Sequence, residues 1–205
     1  MIDLYTANTP NGLKIAILLA ELDQPHTMHR MALGGTALQA PWYRAINPNA
    51  RIPAIVDRRD PAAPVTLFES GAILLHLATL AGRFLGESPT ARAQTLSWLF
   101  LQVAGLGPAM GTAGALGRQQ LVDDPVLQRF RSEALRLFGV LEGRLAERPW
   151  LNGEGYSIAD IAHFSWLRRA DYAGLSLAGF PAIAAWIARI EARDAVGRAI
   201  AGLAD

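Results

Sequence analysis

The residues Ile2-Asp3-Leu4-Tyr5 alternate apolar and polar, the two-residue period of a half-buried strand. Thr9-Pro10-Asn11-Gly12 is turn chemistry, and the dense run of Leu, Ile and Ala from Leu13 to Leu22 predicts a helix that stops before Pro25. A second strand, parallel to the first, is expected over Thr27 to Ala32, followed by a poorly defined segment around Trp42 to Ile46. Two short apolar runs, Ile52-Pro53-Ala54-Ile55-Val56 and Val65-Thr66-Leu67-Phe68, flank a polar, proline-containing turn and predict an antiparallel hairpin. Glu69-Ser70-Gly71 then gives way to a helical pattern over Ala72 to Leu80.

The resulting order, βαβ-α-ββα, is the layout of a thioredoxin-like α/β domain. Gly86 and Pro89 mark a linker, and no strand pattern follows it. Leu96, Leu99, Phe100 and Val103 share one helical face, as do Leu127, Phe130, Ala134, Phe138, Leu141 and Leu145 on another helix. Between them, glycines at 105, 107, 111, 114 and 117 are too many for a regular helix interior at roughly 1 kcal/mol each, so a broken or kinked connection is expected there. Ser157-Ile158-Ala159-Asp160 opens the apolar run Ile161 to Leu167 as a shortened capping box, a folding element with no chemistry assigned to it. The division expected is 1–82 for the α/β domain, 83–88 for the linker and 89–205 for an all-α helical bundle.

Composition narrows the function. Nineteen Lys+Arg against 18 Asp+Glu give a net charge of +1 without runs of like charge, which leaves no electrostatic footprint for nucleic acid or an anionic membrane. No window approaches 18 uninterrupted apolar residues, and Met1-Ile2-Asp3 leads straight into a strand pattern, so a cytoplasmic protein is expected. Cysteine is absent; any sulfur chemistry must use sulfur brought by a ligand. His26, His29, His76 and His163 lie on separate elements without ligand spacing, so no metal site is expected.

The hairpin and the helix after it carry the candidate chemistry. A cis Ile52-Pro53 bond would turn the backbone N–H and C=O of Ile52 outward, where a peptide ligand could pair with them. A helix starting at Ser70 offers unpaired N–H groups to a carboxylate, and Glu69 beside it could accept from an ammonium. The pair suits the zwitterionic head group of an amino acid better than a phosphate. A trans proline that opens a strand and a serine that caps its own helix account for the same residues. In such a sheet the loop Thr6 to Asn11, the turn at Ile52-Pro53 and the helix start at Ser70 fall at one end.

Arg51-Ile52-Pro53-Ala54-Ile55-Val56 followed by Leu67-Phe68-Glu69-Ser70-Gly71-Ala72-Ile73 resembles the glutathione-binding half of the glutathione transferase superfamily. With Ile2-Asp3-Leu4-Tyr5 and Thr9-Pro10-Asn11-Gly12, the chain is most similar to the bacterial Nu-class branch of glutathione-dependent disulfide-bond reductases, relatives of the yeast nitrogen-regulation prion protein. The similarity covers nearly the whole chain. It implies glutathione as cosubstrate, bound between the two domains of a homodimer, with no metal.

It further implies that Thr9 and Asn11 occupy the loop that stabilises the glutathione thiolate. Lowering a thiol pKa from about 8.5 to about 6.5, a shift of about 2.7 kcal/mol and within reach of one or two donors and a helix N-terminus, raises the thiolate fraction at neutral pH roughly 25-fold. From the residues alone, Asn11-Gly12 also reads as the turn and N-cap of the following helix, with Thr9 a neighbour. Tyr5 is a weaker candidate hydroxyl, because a strand position favours packing. Ile52, Pro53, Glu69 and Ser70 take glutathione-binding roles by the resemblance, and Arg51 could meet its glycine carboxylate. Gln39 stands where the family carries a contacting glutamine, one position out of place.

Arg129 lies about 200° around its helix from Leu127, free to contact something besides the core, or to pair with Glu133. The resemblance places an arginine at this point near the bound thiols. Disulfide reduction is the activity implied. Conjugation of glutathione to electrophiles, or a non-catalytic glutathione-binding regulatory module, are the alternatives.

Overall fold

The computed structural model describes residues 1–119 and 124–204. It divides into two compact units, Met1–Ala81 with the C-terminal segment from Asp194, and Gly82–Arg193.

In the first unit β1 (Ile2–Thr6), α1 (Pro10–Glu21), β2 (His26–Arg30), α2 (Pro41–Arg44), β3 (Ala54–Asp57), β4 (Val65–Phe68) and α3 (Ser70–Ala81) realise the βαβ-α-ββα order. The sheet runs β2-β1-β3-β4. β1 pairs parallel with β2, Leu4 opposite Met28, and antiparallel with β3, Leu4 opposite Ile55; β4 closes the hairpin with Phe68 opposite Ala54. β2 ends at Arg30, short of the expected Ala32, because Arg30 is the partner of Thr6, where β1 itself ends. Every residue of β3 is buried, as a central strand covered on both faces requires.

α1 begins earlier than its apolar run. Thr9 is the N-cap, its hydroxyl accepting from Gly12 N at 3.1 Å, and Pro10 fills the first helical position, where a missing N–H costs nothing. Asn11 and Gly12 therefore lie inside the first turn and are neither cap nor turn. A Cβ at Gly12 would stand 2.2 Å from the Ala7 carbonyl oxygen and 2.4 Å from Thr6 Oγ1, so only glycine lets the turn close this tightly.

The last helix, α9 (Asp194–Ala204), packs against α1 and belongs by contact to this unit, although its residues fall within the 89–205 range assigned to the helical domain by sequence. Arg30 of β2 donates to the carbonyls of Gly202 (2.6 Å) and Leu203 (3.3 Å), capping its C-terminal end.

The second unit holds α4 (Pro89–Leu101), α5 (Gly107–Gly117), α6 (Pro125–Glu147), α7 (Ile158–Leu167) and α8 (Pro181–Glu191). α7 is buried along its whole length and forms the centre. The segment expected as a linker is pinned within this unit: Phe84 O accepts from Ile158 N at 2.9 Å, and the Glu154 carboxylate takes the backbone N–H of Glu87 and of Ser88.

The glycine-rich stretch, expected to be a broken or kinked connection, is helical throughout 102–117. One π-helical turn, Gln102–Leu106, leads into a regular α5. Two of the glycines are explained by what crosses them. A Cβ at Gly111 would stand 3.1 Å from the Trp166 ring and one at Gly114 2.0 Å from the Tyr172 ring. Helix propensity is given up for close approach of two aromatic side chains, a tertiary effect that overrides the local preference. By length and composition 89–117 could cross a membrane, but Leu106, Ala109, Met110 and Ala113 are buried inside the unit.

Candidate active site

The first unit gathers most of the residues singled out from sequence at the N-terminal ends of α1 and α3 and the turn before β3. The Ile52-Pro53 bond is cis. The turn leading to it is fixed from beneath: the Arg51 carbonyl accepts from Tyr43 Oη at 2.7 Å and from Asn47 Nδ2 at 2.6 Å, both residues being buried. Burial pushes the Tyr43 phenol up to about 12, so it stays a neutral donor throughout the physiological range. Pro53 is buried, Arg51 is exposed, and Ile52 is half-buried against the cluster of Met31, Leu38, Tyr43 and Ala54.

Glu69 sits at φ +68°, the left-handed region that a residue with a Cβ enters at a cost of about 1 to 3 kcal/mol. Its carbonyl accepts the first bond of α3 from Ile73 N at 2.9 Å, so Glu69 ends the strand and starts the helix in a single residue. The side chain is exposed. The next residue, Ser70, is buried at the first turn of α3, where backbone N–H groups lack helical partners.

Beneath Ser70 lies a residue that the sequence reading passed over. Lys14 is 1% exposed and donates from Nζ to Ser70 Oγ at 3.1 Å. Desolvation lowers its pKa from 10.5 to about 7, against the field of Glu69, which acts to raise it. The signal was present in Leu13-Lys14-Ile15-Ala16-Ile17: every residue from Gly12 to Leu19 is buried, so this helix has no solvent face in that stretch on which a lysine could lie. One hydrogen bond thus ties α1, which carries Thr9 at its cap, to the start of α3.

Other assignments separate. Tyr5 is a packing residue, stacked on His29 with ring centroids 4.6 Å apart and set edge-on to Tyr43 at 5.7 Å. Gln39 is exposed on the 3-10 turn Thr36–Gln39, its Oε1 accepting from Arg44 Nη2. Asn11 is half-buried in the first turn of α1. Arg129 is exposed on α6, in the second unit, and Glu133 is paired with Arg136 at 2.7 Å, not with Arg129. The histidines are engaged one by one: His29 with Asp3, His76 with Asp57, His26 with the Gln24 carbonyl and His163 with that of Trp98.

The site as built can hold a carboxylate at a helix start beside an ammonium-accepting Glu69, and can offer the Thr9 hydroxyl at the head of α1, since a hydroxyl that accepts from Gly12 N keeps its own hydrogen to donate. Comparison with known proteins identifies the family. Residues 9–80 match the glutathione S-transferase N-terminal domain and residues 112–194 the glutathione S-transferase C-terminal domain. The disulfide-bond oxidoreductase YfcG of Escherichia coli is 44% identical over 203 residues, covering 98% of this chain and 94% of its own.

Among solved structures, a glutathione transferase family member from Pseudomonas fluorescens with two glutathione bound superposes with a TM-score of 0.89 at 38% identity, covering 97% of this chain and 92% of that one. A glutathione transferase from Pseudomonas putida with one glutathione disulfide bound per subunit gives 0.90 at 35%, covering 97% and 90%. Motif, fold and relatives converge: the chain belongs to the glutathione S-transferase family of enzymes.

Proposed function

We propose that the protein is a glutathione-dependent disulfide-bond reductase of the Nu-class branch. The observation that carries the reading is the start of α3, where Glu69 is held in the left-handed region directly before the buried Ser70. A strained carboxylate next to a hydroxyl at a helix start fits an α-amino acid head group, the γ-glutamyl end of glutathione. Ile52 supplies backbone groups to the cysteinyl part and Arg51 a cation to the glycine carboxylate. Thr9, with Asn11 beside it, donates to the sulfur. Gln39 and Arg129 keep their assignments from the family resemblance.

The chain has no cysteine, so both electrons come from glutathione. One glutathione thiolate attacks a substrate disulfide, forming a mixed disulfide and releasing one substrate thiolate; a second attacks the mixed disulfide, giving glutathione disulfide and the other thiolate. The protein contributes binding, orientation and a lowered thiol pKa. The Pseudomonas relatives with two glutathione or one glutathione disulfide bound support a site that accommodates this pair. We place the enzyme in the cytoplasm, whose glutathione pool is kept reduced, and as a homodimer, the exposed Val65 and Phe68 on the edge strand β4 supporting an apolar contact there.

Reduction of 2-hydroxyethyl disulfide by glutathione tests the reading. Turnover should exceed the uncatalysed exchange, persist after the protein is treated with a thiol alkylator that is then removed, and fall in Thr9→Ala. Rapid conjugation of chlorodinitrobenzene with no disulfide reduction above background would assign the protein to glutathione conjugation instead.

A further inference from the structure

We propose that Lys14 is a positioning residue for the γ-glutamyl carboxylate and makes its binding proton-dependent: the buried ammonium fixes the Ser70 hydroxyl so that it donates to the ligand, and places a positive charge under the start of α3. This rests on the reading of that helix start as the γ-glutamyl site. The geometry is an ammonium that is 1% exposed, within 3.1 Å of Ser70 Oγ. An ammonium has hydrogens to give and no lone pair, so with Nζ donating, Ser70 Oγ is the acceptor of that bond and its own hydrogen is directed elsewhere. A neutral amine reverses this preference, since it can accept from the hydroxyl and turn that hydrogen inward. The protonation state of Lys14 therefore sets whether Ser70 presents a donor to an anion.

Charge works in the same direction. Burial holds the lysine at about 7, so near neutrality a change in its surroundings changes its charge. Glu69 is a charged group whose field acts on Lys14. The other ionisable groups on elements packed around α1 are directed elsewhere: His76 of α3 and Arg59 to Asp57 of β3, Arg58 and His29 to Asp3 of β1, and Arg198 of α9 to Asp23. Asp194 opens α9, and Glu21 lies seven residues further along α1. A carboxylate arriving over Ser70 adds a second negative charge near Nζ and stabilises the ammonium, so binding takes up a proton. In the opposite sense, deprotonation of Lys14 weakens binding. With the free enzyme at about 7, the protonated fraction falls about tenfold between pH 6 and pH 8, and affinity follows it.

The test is titration calorimetry with S-methylglutathione, which has no thiol to ionise, from pH 6 to pH 8 in two buffers of different ionisation enthalpy. Wild type should take up a fraction of a proton near pH 7.5 and lose up to about tenfold in affinity across the range. Lys14→Met, an unbranched apolar replacement whose folding is checked by circular dichroism, should bind more weakly at pH 6 and show neither the uptake nor the slope. The ligand's own titrations recur in the variant and cancel in the comparison. An S-methyl analogue lacking the γ-glutamyl α-carboxylate should bind wild type without proton uptake. An unchanged pH profile in Lys14→Met, or uptake that persists with the decarboxylated analogue, overturns the role of Lys14 while leaving the glutathione site standing. Absence of S-methylglutathione binding to wild type at every pH overturns the site as well.

Discussion

Replacing Asp160 by Ala should cost about 3 kcal/mol at neutral pH without altering the affinity of the folded protein for glutathione. Asp160 is fully buried at the start of α7. Its Oδ1 accepts from Leu151 N at 3.1 Å and from Trp186 Nε1 at 3.0 Å, and its Oδ2 from Ser157 N at 3.0 Å and Ser157 Oγ at 2.7 Å. The hydroxyl can rotate to another acceptor but the three N–H groups cannot, and each buried donor left without a partner costs about 1 to 3 kcal/mol. Three of them sum to roughly 6 kcal/mol.

Against this, burial raises the carboxyl from 3.8 to about 6 in spite of its four donors, so ionisation at neutral pH costs the native state about 3 kcal/mol, a cost that Ala removes. Because the native pKa lies above the unfolded one, the favourable contribution of Asp160 is complete below about pH 4 and is lost as pH rises through 6. Asp160→Asn keeps one oxygen for Leu151 and Trp186 but turns an amide nitrogen toward the Ser157 N–H, and it cannot titrate. Urea titrations followed by tryptophan fluorescence should therefore rank both wild type and Asn above Ala. The stability of wild type minus that of Asn, the gap between them, should rise by roughly 1.4 kcal/mol from pH 7.5 to pH 5. A loss below about 1 kcal/mol in the Ala variant, or a gap that falls on acidification, refutes the reasoning.

Glu69→Gly relieves a left-handed backbone and should raise stability by about 0.5 to 1 kcal/mol while weakening glutathione at least tenfold by calorimetry; unchanged affinity would move the γ-glutamyl site elsewhere. Lys14 is a base whose native pKa lies below its unfolded one, so the native state binds fewer protons between about 7 and 10.5 and gains stability as pH rises through that window. Wild type should gain roughly 2 kcal/mol from pH 7 to pH 9 relative to Lys14→Met in paired denaturant titrations, and parallel profiles would contradict the burial. Gly12→Ala should lose about 1 to 3 kcal/mol despite the better helix propensity of Ala, because the added methyl meets the Ala7 carbonyl; a stabilised variant in thermal melts would show that the loop yields.

The elements were legible wherever local periodicity and turn chemistry agreed. The hairpin and the helix after Ser70 follow from two apolar runs, a proline and a Glu-Ser junction. What escaped was decided by contacts distant in sequence. α5 carries Gly111 and Gly114 where Trp166 and Tyr172 cross it, and neither aromatic can be placed against it from the sequence. The cap of α1 lies at Thr9, two residues ahead of the Asn-Gly pair that reads as a turn, because Pro10 serves as the first helical residue. Arg30 and the end of α9 are 172 residues apart and meet only in the folded chain.

Asp160 and Lys14 show how a buried charge can be assigned to folding or to function. Both are unfavourable when ionised in the interior, and each shifts toward its neutral form. Asp160 is surrounded by four donors from three separate stretches of its own unit, at 151, 157 and 186, so its polar capacity is spent inside the protein and its removal is a question of stability. Lys14 instead directs a hydrogen bond to a hydroxyl at the opening of a helix, next to an exposed carboxylate on strained backbone. An anion bound at that opening would favour the ammonium, supply an acceptor to the Ser70 hydroxyl and engage unpaired N–H groups at once. On the proposed reading, the unfavourable terms at the start of α3, a desolvated cation and a left-handed glutamate, would be offset by the bound ligand, whereas those at the start of α7 are offset by the chain itself.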